Sequence, residues 1–173
     1  SEPDGRFFIF GDFDSLNGVR YPSIARLTGD DSLDPTFTPR TTDPPRVQGQ
    51  IRAAVVLPDG RLLIGGDFVV YGPTSGDFRY NLARLNADGS VDASFYNTFS
   101  SGAVNAIARQ SDGKILVGGQ YLALQGTTNV FSFLRLTADG RRDNSYPQRV
   151  AANGSVQFIQ VLTNDTSNPN AAR

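Results

Sequence analysis

The eleven residues "PDGRLLIGGDF" at 58–68 constrain this chain more than anything else in it, because they return. "PDGRFFIFGDF" at 3–13 and "SDGKILVGGQY" at 111–121 align with them without a gap. The Asp-Gly pairs begin at Asp4, Asp59 and Asp112, in steps of 55 and 53 residues. A second block follows each copy: "SIARLTGDDSLDPTF" at 23–37, "NLARLNADGSVDASF" at 81–95 and "FLRLTADGRRDNSY" at 133–146. A third leads into the next copy: "GQIRAAVVL" at 49–57, "GAVNAIARQ" at 102–110 and "GSVQFIQVL" at 154–162. A period of this size marks a fold in which one small unit stacks on the next.

Recurrence also decides how to read "GGDF". A degenerate GGDEF cyclase loop should occur once, in an α/β domain with a metal-binding acidic partner. Here the letters belong to a repeated element, written FGDF in the first copy and GGQY in the third.

Each unit of about 53 residues offers four strand candidates. The first is the Gly-led block, such as Val104 to Ala108. An Asp-Gly turn joins it to the second, since glycine takes positive φ without steric cost. The second strand is continuously apolar (Leu62, Leu63, Ile64; Ile115, Leu116, Val117), which predicts burial on both faces. The third is "IARL", "LARL" or "FLRL". A second turn, Asp88-Gly89 or Asp139-Gly140 (Asp30-Asp31 in the first copy), leads to a short fourth strand ending in Phe37, Phe95 or Tyr146. No window carries a sustained 3.6-residue apolar period with caps. With 18 Gly, 10 Pro, 12 Phe and 6 Tyr, the class is all-β. Four antiparallel strands per unit, with inner strands buried on both faces, predict blades of a β-propeller. The structural rival is a stacked β-solenoid, whose repeats are usually shorter.

The run "LPDGRLLIGGDF…NLARLNADGSVDASF" resembles the delta-60 repeat, a β-propeller repeat of bacterial secreted and surface proteins. The first copy departs from the pattern at Phe10 and Asp31, the third at Arg141, Arg142 and Tyr146. The resemblance implies an extracellular, repeat-built architecture and brings no catalytic motif with it.

The whole chain, 1–173, reads as a single repeat domain: unit 1 at 1–48, unit 2 at 49–101 and unit 3 at 102–153. A surplus opening strand follows at 154–163, then a polar tail at 164–173. Unit 1 lacks its opening strand. Propellers typically close with four to eight blades, so three units are not closed by one chain alone. Val156, Phe158, Ile159, Val161 and Leu162 of the surplus strand are therefore expected to complete a neighbouring copy. Two chains would give a six-bladed ring, and a non-closing rotation a filament. Alternatively the chain is an excerpt of a longer array, as the absence of Met also suggests.

Without Cys or His, thiol nucleophiles, the commonest general base and most zinc or copper sites are excluded. The net charge of −1, with basic residues scattered, gives no reason to expect nucleic acid or an anionic membrane. No apolar run reaches the length of a membrane span, and no signal-peptide pattern opens the chain. No metal or organic cofactor is implied. Asn86, Asp88 and Asp92, with Thr137, Asp139 and Asp143, hint at a calcium loop, but glycine falls at position 4 instead of 6. Turn chemistry explains them better. Arg26, Arg84 and Arg135 recur with Asp34, Asp92 and Asp143 and read as ion pairs tying strands or blades. Asp12 and Asp67 become Gln120, which weakens any catalytic carboxylate scheme.

Function concentrates on variable loops. Here these are 14–22, 69–80 and 122–131 within units, and 38–48, 96–101 and 147–153 between them. All should emerge on one face, opposite the Asp-Gly turns. They carry a candidate ligand or partner face of Arg20, Tyr21, Tyr71, Phe78, Arg79, Tyr80, Tyr96, Phe99 and Tyr121, although several of these could simply fill gaps between blades. The expected function is a non-enzymatic extracellular or bacterial cell-surface scaffold or adhesion module. Its partners would be further copies of itself or adjacent repeats, with a glycan or surface protein as a further possibility. A carbohydrate-binding propeller is the second reading and a glycan-acting hydrolase the third.

Overall fold

The structure, a computed structural model, describes residues 5–21, 23–38, 47–71, 78–96, 99–126, 129–147 and 154–162. It is all-β. Strands β1 (Phe7–Phe10) and β4 (Ile24–Leu27) pair in the first unit, and the small hairpin β2 (Ser15–Leu16) and β3 (Val19–Arg20) lies between them in sequence. The second unit is β5 (Val47–Val56), β6 (Leu62–Tyr71) and β7 (Phe78–Leu85). The third is β8 (Phe99–Arg109), β9 (Ile115–Leu124) and β10 (Val130–Leu136). Both are antiparallel meanders with the Gly-led strand at one edge. The described residues form three successive units and no closed ring.

The apolar run of the second strand is buried on both faces, as its pattern predicts. Leu62 and Ile64 belong to a core cluster shared with Ile24 and Phe37 of the first unit. Leu63 between them joins the opposite cluster, with Val104, Ile107 and Val117 of the third. Alternation within one strand thus places a core on either side of the second unit.

The fourth strand is shorter than the sequence suggests. It amounts to one bridged pair per unit: Leu27 with Leu33, Leu85 with Val91 and Leu136 with Arg142. The chain then turns at once, because the next aspartate captures the backbone ahead of it. Thr36 N, Ser94 N and Ser145 N donate to the carboxylates of Asp34, Asp92 and Asp143 at 2.8, 2.9 and 3.0 Å. Asp31 keeps the first unit's turn despite replacing glycine. It sits at φ 64°, and its amide donates to Thr28 O at 3.0 Å, as Gly89 donates to Asn86 O at 2.9 Å.

The Gly-Gly pair has two jobs. The strand bulges there: Gly65 faces Leu82 and Val69 faces Tyr80, leaving 66–68 opposite Asn81 alone. Asn81 takes φ 65° and its Oδ1 accepts from Phe68 N at 3.2 Å. Past the bulge the ladder resumes, so 69–71 and 78–80 are strand where a loop was expected. Val69, Val70 and Tyr71 find β-forming partners in Tyr80, Arg79 and Phe78. A Cβ on Gly66 would stand 3.0 Å from Ile51 Cα and closer still to Gln50 O, inside its own unit. A Cβ on Gly65 would stand 2.8 Å from Ile107 Cδ1 and closer still to Val104 Cγ1, in the next.

Candidate functional site

An arginine–aspartate pair recurs in all three units. Arg26, Arg84 and Arg135 donate through Nε to Asp34, Asp92 and Asp143 at 2.8, 2.8 and 2.9 Å. Each guanidinium also lies over the aromatic ring that ends its unit: Phe37 at 5.2 Å, Phe95 at 4.8 Å and Tyr146 at 4.3 Å. A second arginine supports the first two carboxylates, Arg6 at 3.4 Å from Asp34 and Arg61 at 2.7 Å from Asp92. In the third unit Lys114 takes that place and, among the described residues, pairs with Asp112 alone, at 2.6 Å.

These contacts set the acid behaviour. Burial alone would push the Asp34 carboxyl up, but the Thr36 hydroxyl and amide and the Arg26 guanidinium outweigh it and hold it at about 2. Burial likewise opposes Ser94, Arg84 and Arg61 at Asp92, and loses; that carboxyl lies well below the usual range. The Ser145 hydroxyl leads the lowering at Asp143. A carboxyl depressed by folding adds stability that is complete above its unfolded value, near 3.9, and is lost as pH falls through the folded one. No histidine is present to titrate near neutrality. The melting temperature is therefore expected to stay level between about pH 5 and 8 and to fall steeply between about pH 4 and 2. A pH series of thermal melts checks this; a mid-range step would contradict it.

The same arginines join one unit to the next. Arg26 Nη1 donates to Ala87 O at 2.9 Å, and Arg84 Nη1 donates to Ala138 O at 3.0 Å. Beside them Thr38 N donates to Asp88 O and Tyr96 N to Asp139 O, each at 2.8 Å. Two successive junctions are thus built from one set of bonds. A family model described as "Domain of unknown function (DUF5122) beta-propeller" matches residues 2–37, 57–95 and 110–146, the same three units. The chain belongs to this family. No curated protein and no solved structure matches it.

Residues 154–162 continue the pattern of propeller blades. A Cβ on Gly118 would stand 2.5 Å from Val156 Cγ1 and 3.0 Å from Ile159 Cδ1. These are the positions that Val104 and Ile107 hold over Gly65. Val156 N donates to Gly119 O at 3.0 Å. The segment forms no strand ladder among the described residues, yet it lies on the third blade as β8 lies on the second. Its other side is bare: Phe158 and Leu162 are 75% and 83% exposed. Val161 is partly buried.

A polar track follows the opening strands. Arg52 Nη1 donates to Asn105 Oδ1 at 3.0 Å, Asn105 Nδ2 to Ser155 Oγ at 2.9 Å, and Gln157 Nε2 to the same hydroxyl at 2.8 Å. Gln50 Nε2 donates to Asp12 Oδ2 at 2.9 Å. Arg52, Asn105 and Gln157 hold the fourth position of the three opening blocks, a polar column that aligning the repeats by position makes visible in the sequence.

The aromatic face is only partly assembled. Tyr71, Phe78 and Tyr80 do cluster on the β6–β7 hairpin. The first two rings meet edge-on at 5.5 Å, and the Tyr71 hydroxyl donates to Gln48 Oε1 at 3.1 Å. Arg79 points to the other side of that hairpin, and Arg20 is exposed on β3. Tyr21 and Phe99 are buried at 8% and 0% exposure and belong to the interior. Tyr96 lies with the Asp-Gly turns instead of the long loops, against the following turn and under the Arg141 guanidinium at 4.9 Å. The side chain of Tyr121 is outside the described residues, as are 39–46, 72–77 and 148–153 of the long loops and the polar tail.

Proposed function

We propose that this chain is a non-enzymatic scaffold or adhesion module of the delta-60 type, working outside the cell or on its surface and assembling blade on blade. The observation that supports this most is the seat of Val156 and Ile159 on Gly118, which repeats the seat of Val104 and Ile107 on Gly65. A blade that receives an opening strand in the standard position is prepared for a further blade. The bare flank of Phe158 and Leu162 is the surface that such a blade would cover. The edge of β1 away from β4 has no strand partner among the described residues, whereas β6 and β9 are paired on both edges. Segment 154–162 can therefore supply an opening strand either to the next blade of a longer polypeptide or to β1 of another copy.

Light scattering on a sizing column, at two concentrations, tests the second route with this chain. A dimer or a ladder of larger species is expected, and Phe158→Asp should shift it toward monomer. A monodisperse, folded monomer at both concentrations would rule out assembly between copies.

Carbohydrate binding remains a second reading, favoured by the exposed Tyr71–Phe78–Tyr80 cluster, since aromatic faces stack on sugar rings. That reading requires saturable binding in a glycan screen, lost in Tyr80→Ala.

A further inference from the structure

We propose that the cleft between the second and third blades binds a small organic carboxylate with an apolar body, held by Arg109. The cleft encloses about 190 Å³ on the Asp-Gly turn side. Leu57 and Pro58 supply its accessible apolar wall over a floor of buried Leu63 and Ile115, and Arg61, Arg84 and Arg109 line it with three guanidinium groups.

In two of the three, every guanidinium nitrogen already donates a hydrogen bond. Arg61 donates through Nε and Nη2 to Asp59 at 2.9 and 2.6 Å and through Nη1 to Asp92 at 2.7 Å. Arg84 divides its donors among Asp92, Ala138 O and Ser94 at 2.8, 3.0 and 3.2 Å. Arg109 is exposed and makes no side-chain hydrogen bond or ion pair among the described residues. Its Nη2 lies over the turn, 3.8 Å from where a Cβ on Gly113 would stand. With Asp59 and Asp92 balancing Arg61 and Arg84, the site keeps one uncompensated positive charge. That suits a monoanion, while the second charge of a dianion would meet Asp59. The planar fork of arginine matches a carboxylate in bidentate fashion, and Leu57 and Pro58 would pack against the apolar body of the ligand.

The repeats supply an internal control. Arg109 is the eighth residue of its opening block, and the other two blocks carry Val56 and Val161 there. A valine satisfies the fold at this position, so the arginine is particular to one junction.

The test uses hexanoate as probe, with acetate (carboxylate without the body) and hexylamine (body without the carboxylate) beside it. Binding is followed by amide shifts at Gly113 and the Nε–H of Arg109 during titration. Hexanoate should saturate with a dissociation constant on the order of millimolar, acetate should bind more weakly, and hexylamine should leave both signals unmoved. Arg109→Val should keep the wild-type melting temperature and weaken hexanoate by roughly tenfold or more. Arg109→Lys should retain part of the binding. Equal hexanoate binding by Arg109→Val, equal binding of acetate and hexanoate, or no saturation up to about 50 mM would each overturn the proposal.

Discussion

Replacing Gly66 or Gly119 with alanine is expected to cost about 3–5 kcal/mol, a large part of the whole stability of a domain this size. Neither glycine is there for its backbone freedom. At Gly119 the added methyl would stand 3.0 Å from the Ala103 carbonyl carbon and from Leu122 Cδ2, and would overlap Ala103 O. At Gly66 it would overlap Gln50 O. Ala103 O and Gln50 O are backbone atoms of the neighbouring strand, so no rotamer change relieves the clash; β5 or β8 must move away from its blade. Gly154→Ala is the control, because nothing lies within 4 Å of the new methyl, and its cost should stay under about 1 kcal/mol. Denaturant melts of the three variants give the comparison. Similar values for all three would mean that the opening strands do not press on their blades as described.

Asp92→Ala should cost about 3–5 kcal/mol, through the charges it leaves behind. Asp92 accepts from Arg84 Nε, from Arg61 Nη1, and from Ser94 through both its amide and its hydroxyl, at 2.8, 2.7, 2.9 and 2.6 Å. Without the carboxylate, Arg84 stays buried over Phe95 with an unbalanced charge, and the turn that ends the blade loses its anchor. Asp92→Asn should be nearly as damaging, since it keeps the size but turns an amide toward two guanidiniums. Asp67→Ala offers the contrast: that side chain is 67% exposed, its nearest cation lies at 4.0 Å, and its loss should cost under about 1 kcal/mol. Comparable losses at Asp67 and Asp92 would remove the distinction drawn between them.

Much of the fold is legible in the sequence because a repeat reports the same physics three times. The runs Leu62-Leu63-Ile64 and Ile115-Leu116-Val117 announce strands covered on both sides, and Arg84 with Asp92 announces a tie within the blade. Less legible is how far each strand runs. The fourth strand dwindles to a bridge because Asp34, Asp92 and Asp143 bond to the backbone two residues on and start a turn. That competition between side chain and ladder leaves little periodic trace. The bulge at Gly65–Val69 extends the hairpin past the point where the apolar run stops.

The candidate site is legible only in part. Tyr21 and Phe99 share the composition of exposed aromatics, but β-structure turns them inward, which spacing within a loop does not encode. The donors from Arg26 and Arg84 to the next blade connect residues 61 and 54 positions apart and depend on blade angle. Arg109 could have been found, because comparing the opening blocks column by column sets it against Val56 and Val161.

Residues 154–162 occupy the seat of an opening strand on the third blade. Nuclear Overhauser contacts from the methyl groups of Val156 and Ile159 to the Gly118 α-protons test it most directly. Strong contacts are expected at both, matching those from Val104 and Ile107 to Gly65, with the Val156 amide slow to exchange through its bond to Gly119 O. Random-coil shifts across 154–162, with contacts at Gly65 but none at Gly118, would contradict it and leave the third blade without a prepared neighbour.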